Sequence, residues 1–293
     1  MDADPAAVWL ANVVLAAEVL PLVVAAPTRL RRPLPALVTC GDGLAQLDRK
    51  ARVEAMNPPY GRVKLPQAER DRWAHVLYGH ANLYGLFMGA GLEGLDEHGV
   101  LAALVPTSFT SGLYFSKLRD TLGREAPLRE AAFVASRDGV FAEVLQETCL
   151  AVFDRRRSRR TVTSSVSGRI VTRVAQVKGP RGALPWLLPR RSDDAPVAAA
   201  AAALPWRLAE VGYRCSTGPL VWNRRADDLG KSKRAGWLPV VWAADLDGGK
   251  LHRDRKRDGL RYMRQRSGDE HVMVLDEPAL LVQRTTAPSR YDG

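Results

Sequence analysis

Residues 55–64 read AMNPPYGRVK, with an amide, two imino acids and an aromatic ring in succession. The preceding ARVEAM (51–56) alternates and breaks at NPPY, which predicts a strand and its exit loop. Carboxyl ends of strands are where open α/β sheets bind ligands. Pro58 and Pro59 lack an N–H and have a fixed φ, so the loop is stiff and its carbonyls point predictably. The Asn57 side-chain carbonyl and the Pro58 main-chain carbonyl are two acceptors, which suit an exocyclic amino group with two N–H donors. Tyr60 adds a flat face for a planar base. NPP alone is an ordinary proline turn. The whole tetrad at a strand exit is a more specific signal for reading an NH2 on a planar group.

Working outward, the surrounding segments alternate in type. ALVTCGDG (36–43) predicts a short strand and turn, residues 66–95 a helix facing inward through Leu77, Leu83, Phe87, Ala90 and Leu95, and GVLAALVP (99–106) a strand. YFSKLRDTLG (114–123) predicts a helix, and LREAAFV (128–134) and ETCLAVFDR (147–155) two more strands. This alternation implies an α/β fold with a mostly parallel sheet. The apolar run Val8–Ala26 contains Asn12, Glu18 and Pro21 and follows Asp2 and Asp4. It is expected to be a buried helix capped by Asp4 with Pro5 in its first turn, not a signal or a membrane span.

After Asp154 the text changes. RRRSRR (155–160) opens a basic, then Pro/Gly/Arg-rich stretch that ends in PVAAAAAALPW (196–206). Strand-like pieces follow at 236–243, 271–276 and 279–286. The expected organisation is a catalytic domain over 1–154, a basic and Ala/Pro-rich linker over 155–205 and a recognition region over 206–293. Residues 1–154 hold 15 Lys and Arg against 18 Asp and Glu, and residues 155–293 hold 28 against 14. The net charge of +11 therefore comes wholly from the second part, which suggests a polyanion-binding module beside a catalytic one.

Cys40, Cys149 and Cys215 are far apart, which suggests neither a disulfide framework nor a zinc site and fits a reducing cytoplasm. His75 and His80 are five apart, a spacing that does not put them on one helical face, so no metal is expected. GAGLEG (89–94) matches a dinucleotide fingerprint but lies inside a helical pattern, where it predicts close helix packing.

NPPY resembles the catalytic motif of the amino-methyltransferases, most often the adenine-N6 DNA methyltransferases of restriction–modification systems. CGDGL (40–44) resembles that family's cofactor-adenine motif, with Asp42 as its acid. MDADP (1–5) resembles the end of its second strand, with Asp2 on the cofactor ribose. Residues 83–95, 99–109 and 139–153 resemble successive family segments, so the resemblance covers roughly the first 155 residues and, more faintly, the stretches VGYRCSTGPLVWNR and LVQRTT. It implies a Rossmann-like class I methyltransferase sheet, S-adenosylmethionine as cofactor and no metal. Asn57, Pro58, Pro59 and Tyr60 would be the catalytic group. Phe141 would stack on the target base opposite Tyr60, after that base is flipped out of double-stranded DNA. Arg155, Arg156, Arg157, Arg224 and Arg284 are the candidate DNA contacts. A restriction endonuclease or a complementing methyltransferase fragment is a candidate partner. The family's glycine-rich loop, D-P-x-x-G-x-G, is absent, so the sheet is expected to be N-terminally incomplete and the chain inactive by itself. NPPY also occurs in enzymes that methylate ribosomal RNA guanine and protein glutamine, and a DNA-binding remnant without catalysis is a third reading.

Overall fold

The computed structural model describes residues 2–28, 36–45, 50–134, 147–156, 159–247, 249–253 and 259–283. They form two compact units, Met1–Leu204 and Pro205–Gly293.

The first unit opens with α1 (Pro5–Ala25), whose start follows from its sequence: Asp4 accepts from the Ala6 amide and Pro5 sits in the first turn. The expected burial is not found. No residue of α1 is buried, and Trp9 and Leu22 are 68% and 72% exposed. By length and composition the helix is apolar enough to cross a membrane. Asn12 tethers it: the side-chain amide donates to Val38 O (2.8 Å) and accepts from the amides of Leu37 (2.7 Å) and Val38 (3.0 Å). The strand expected at 36–43 reduces to a single parallel bridge between Asp2 and Cys40.

The main sheet is built from β1 (Ala51–Met56) onward. The tetrad NPPY follows it, then a two-residue pair, β2 (Arg62–Val63) with β3 (Ala81–Asn82), flanking α2 (Gln67–Arg72). The single helix expected over 66–95 is therefore two, because the turns around Gly79 (φ 66°) interrupt it before α3 (Leu83–Gly94). Then come β4 (Leu95–Pro106), α4 (Ser116–Glu125), β5 (Leu128–Val134), β6 (Thr148–Asp154), β7 (Arg160–Ser167) and β8 (Ile170–Lys178). The sheet order is β1-β4-β6-β5-β7-β8. The fold is α/β, but the sheet is mixed, not mostly parallel. The pairs β1–β4 and β5–β7 are parallel, whereas β6 lies antiparallel between β4 and β5, and β7–β8 is a hairpin. The segment expected to be a linker, 155–205, thus supplies two strands of this sheet, and its end forms α5 (Asp194–Ala203).

The core lies on one face of the sheet. Leu101, Ala103 and Val105 of β4 pair with Phe153, Ala151 and Cys149 of β6, and all six are fully buried. They are roofed by Trp73, Leu92, Leu118 and Leu122. Phe109, Phe153 and Trp186 meet at centroid distances of 6.1–6.5 Å, a cluster in which each pair contributes about 0.5–1.5 kcal/mol beyond area burial. GAGLEG is the packing device the sequence suggested. A Cβ on Gly91 would run into Met56 Cε and lie 2.8 Å from the Glu54 carboxylate and 3.0 Å from Leu101, so a larger residue there would displace these side chains between α3 and the sheet. Burial raises the Glu54 pKa, and Lys50 opposes that rise. The other sheet face is thinly covered: Val53 is 65% and Leu150 43% exposed. Among the described residues, β1 pairs only with β4, so its second edge is open.

Arg119 is 1% exposed and ties two loops together. It donates to the carbonyls of Phe109 and Gly112 on one side and Ala183 and Leu184 on the other, at 2.6–3.1 Å. The Trp186 amide adds a bond to Thr110 O.

The second unit holds a small three-stranded sheet of β9 (Leu229–Gly230), β10 (Trp237–Pro239) and β13 (Tyr262–Arg264), with β11 (Leu246–Asp247) and β12 (Lys250–Leu251) as a separate pair. Residues 271–276 and 279–283, expected as strands, form none among the described residues; 284–286 lie outside them. Among the described residues its buried core is Leu229, Val240 and Met263, with Leu220, Trp242, Leu260 and Met273 packed against them, and ion pairs supplement it. Asp228 is fully buried and bonded by Arg225, Arg264 and Arg266; Asp269 is held by Arg225.

Two predictions follow from these contacts. Arg119→Met leaves four carbonyls without their donor and should cost about 2–4 kcal/mol, read by chemical denaturation of the full chain; an unchanged midpoint would show the tether to be dispensable. In the second unit, Arg264, Arg225 and Arg266 hold the Asp228 pKa at about 2, and Arg225 does the same for Asp269. Both values lie below the unfolded carboxylate value of about 3.9, so the stabilisation is complete above that pH and fades as pH falls towards about 2. The near-ultraviolet dichroism of Trp237 and Trp242 should be flat from about pH 8 to 5 and collapse between about 4 and 2. A native signal at about pH 2 would count against the network.

Candidate active site

The site is assembled where β1 and β4 end together. Met56 pairs with Ala103, so NPPY emerges beside the last residues of β4 and the loop 107–112. Pro58 is buried and anchors the turn, while Asn57 is exposed and its side-chain amide makes no hydrogen bond among the described residues. Tyr60 is half-buried. Its hydroxyl donates to Leu104 O (3.1 Å), and its ring meets Tyr84 edge-on at 6.1 Å and 81°. Burial raises the Tyr60 pKa, which keeps the phenol protonated and able to donate.

Behind Tyr60 stands a group that the sequence did not single out. Tyr84, 1% exposed, stacks on Phe115 at 4.9 Å and shares a 2.8 Å hydrogen bond with Ser108 Oγ. Burial pushes the Tyr84 phenol above its ordinary range, and the Ser108 bond partly offsets that. Cys149 lies under the same corner; burial pushes its thiol up to about 12, so it offers no thiolate nucleophile at neutral pH. The signal that could have found Tyr84 is its four-residue spacing from the inward-facing Met88. Nothing in the sequence marks Arg119, which fixes the loop carrying Ser108.

The remaining candidates fall elsewhere. The Asp2–Cys40 bridge brings Asp2 and the turn of Asp42 together, with Gly41 N bonded to Asp2 O at 2.9 Å. The Asp2 carboxylate accepts from the Asp4 amide, and the Asp42 carboxylate from the Leu44 amide. Phe141, Arg157 and Arg284 lie outside the described residues. Arg155 and Arg156 stand at the opposite end of the sheet from NPPY, because Asp154 pairs with Val100 and the Arg155 amide bonds Gly99 O. Both have internal partners: Arg155 donates to Leu92 O (2.7 Å), and Arg156 clamps Asp154 (2.8 Å), whose carboxyl it holds below the usual range. Arg224 is exposed in the second unit.

The tetrad, its tyrosine backing and an amide without a partner among the described residues form, at a strand exit, an arrangement that can present two acceptors to an amino group. Sequence comparison gives the following matches. Residues 55–141 match the sequence model of the Eco57I restriction-modification methylases. The chain is 25% identical over 203 residues to the type II methyltransferase M.PstI of Providencia stuartii, a match covering 65% of this chain and 40% of that one. It is 27% identical over 114 residues to the type II methyltransferase M.BsuBI of Bacillus subtilis, covering 38% of this chain and 23% of that one. It thus spans well under half the length of these relatives. Among solved structures it is similar to a putative class I S-adenosylmethionine-dependent methyltransferase of Listeria monocytogenes (TM-score 0.38, 18% identity, 44% of this chain and 41% of that one). A type I restriction-modification methyltransferase subunit of Streptococcus thermophilus gives a TM-score of 0.38 at 18% identity, over 50% of this chain and 32% of that one. The segment similar to the restriction-modification methylases thus includes the NPPY turn.

Proposed function

We propose that this chain is part of a restriction–modification DNA methyltransferase that moves a methyl group from S-adenosylmethionine to adenine N6. The observation that carries this reading is the NPPY turn itself: a buried Pro58, a braced Tyr60 and an Asn57 amide without a partner among the described residues, inside the methylase-matching segment. The Asn57 side-chain carbonyl and the Pro58 carbonyl accept the two N–H groups of the adenine amino nitrogen and aim its lone pair. Tyr60 stacks on the base, its ring fixed by the Leu104 carbonyl and by Tyr84. Rate then comes from orientation and fixed dipoles, with no covalent intermediate. A paired base cannot reach such a corner, so the base is flipped out of the duplex.

The cofactor fits the acceptors present. The exposed carboxylates of Asp2 and Asp42, held in neighbouring turns, suit a ribose hydroxyl and an adenine amino group respectively. When bound, S-adenosylmethionine supplies an electrophilic methyl group. Duplex DNA is the partner that the basic residues suit, and a cytoplasmic restriction endonuclease is a further one.

The reading is tested with methyl-labelled S-adenosylmethionine on plasmid DNA, ribosomal RNA and a protein release factor, using the chain alone and with the polypeptide encoded directly upstream. Label should appear in DNA as N6-methyladenine; label confined to RNA or protein would sink it. In the active preparation Asn57→Ala should lower methyl transfer roughly a hundredfold or more while DNA affinity stays within about twofold. A class I cofactor pocket is built from the ends of adjacent strands, and β1 has a neighbour on one side only among the described residues. Calorimetric titration of the chain alone with S-adenosylmethionine should therefore show no micromolar binding. A micromolar Kd would refute that expectation.

A further inference from the structure

Between Asp154 and Asp193 the chain carries eleven Lys and Arg and no carboxylate. Residues 155–204 hold a net +9, against +5 for 205–293. The densest positive charge thus sits on the first unit and not on the second. Several of these cations have structural partners: Arg155 and Arg156 as described, Arg190 with Glu147, and Arg191 with Asp194. Arg159, Arg169, Arg173, Lys178 and Arg181 are exposed and make no ion pair among the described residues. All five lie on or beside the β7–β8 hairpin, the last pair of the sheet.

The register says which end of this hairpin matters. Val105 pairs with Cys149, Cys149 with Phe133, Phe133 with Ser165 and Ser165 with Thr172. The hairpin turn, Gly168 (φ 57°) and Arg169, is therefore at the same end of the sheet as NPPY. Arg160 and Lys178 pair at the other end. Four strand spacings of about 4.8 Å separate β1 from β7, or about 19 Å, the length of five to six base-pair steps. At the turn Ile170 and Val171 are 69% and 60% exposed, flanked by Arg169 and Arg173. A charged edge strand can simply repel other edges. Such a guard needs neither charge of a single sign nor two bare aliphatic side chains at its tip. Cations around an apolar tip on a two-stranded ribbon match a duplex instead: phosphates take the arginines, and a groove admits the ribbon and its aliphatic end.

We propose that the tip of the β7–β8 hairpin, Arg169 to Arg173, is a duplex-DNA contact that positions the DNA backbone beside the NPPY turn. This rests on the reading of the chain as a DNA methyltransferase. The test uses the full chain and a fluorescent 30-base-pair duplex of random sequence, with affinity measured over a salt series. The double substitution Arg169→Gln/Arg173→Gln is compared with Arg159→Gln/Lys178→Gln, which removes the same charge at the far end of the same hairpin. Thermal melts of all three proteins control for folding. The tip variant should lower the slope of log K against log salt by about two and weaken binding at least about tenfold near 150 mM salt; the far-end variant should change it less than about threefold. Equal losses in both variants would show an effect of net charge alone and overturn the proposal, as would a tip variant that binds like the unaltered chain. In either case the DNA methyltransferase reading stands. An unaltered chain that binds no duplex at any salt, including one that binds anionic vesicles instead, would remove both.

Discussion

The parallel pairing of β1 with β4 is the constraint from which the candidate site follows. Because Met56 and Ala103 are level, the NPPY turn leaves the sheet where β4 still has carbonyls to offer, and Tyr60 takes that of Leu104. The pairing in turn depends on α3 lying close over β1. Gly91 and Gly94 make room for the Glu54 side chain, and a residue with a Cβ at either place would meet its carboxylate. A half-buried carboxylate under a helix is an odd filler for a core, since burial disfavours its charge. Lys50, which bonds Glu93 O at the end of that helix, answers the charge from outside. The glycines, the acid and the lysine act together to set the height of α3, and Tyr84 on α3 sets the ring of Tyr60.

Much of this was legible in the sequence because the signals were local. Leu128–Val134 and Asp154 at the end of β6 fall where alternation and burial predict them, and NPPY punctuates β1 through proline geometry alone. The misreadings arise where the decisive contact is distant. Antiparallel insertion of β6 between β4 and β5 depends on pairing partners that no window of sequence contains. The Val/Thr/Ser run at 160–167 falls inside the expected linker, yet Thr161 and Thr163 are fully buried beside β5. Arg119 is invisible for the same reason: its acceptors are seven to sixty-five residues away.

Charge illustrates the same limit. The sum over residues 155–293 was correct, but its division was not. The fold draws the boundary at Leu204, so most of the excess positive charge belongs to the unit that holds NPPY. Within that charge the structure separates two kinds of arginine. Those at 155 and 156 are consumed by Leu92 O and Asp154 at the far end of the sheet, whereas those at 169 and 173 stand on the β7–β8 hairpin towards the NPPY end of the sheet. Composition cannot make that distinction, because it turns on whether a carbonyl or carboxylate lies within reach.

The first unit has two unsatisfied surfaces of different kinds, and they occur together. One is the second edge of β1, a row of backbone groups without a strand partner among the described residues. The other is apolar: α1 with no buried residue, and the sheet face that bears Val53 and Leu150. A lipid surface could cover the helix, but it cannot hydrogen-bond a strand edge, since lipid satisfies no backbone donor or acceptor. Asn12 points the same way. It spends its side chain on the backbone of Leu37 and Val38, fixing α1 as the crossover between Asp2 and the strand position at Cys40. A crossover helix of a parallel pair is stable when it lies on a sheet, because both faces of such a sheet are otherwise bare.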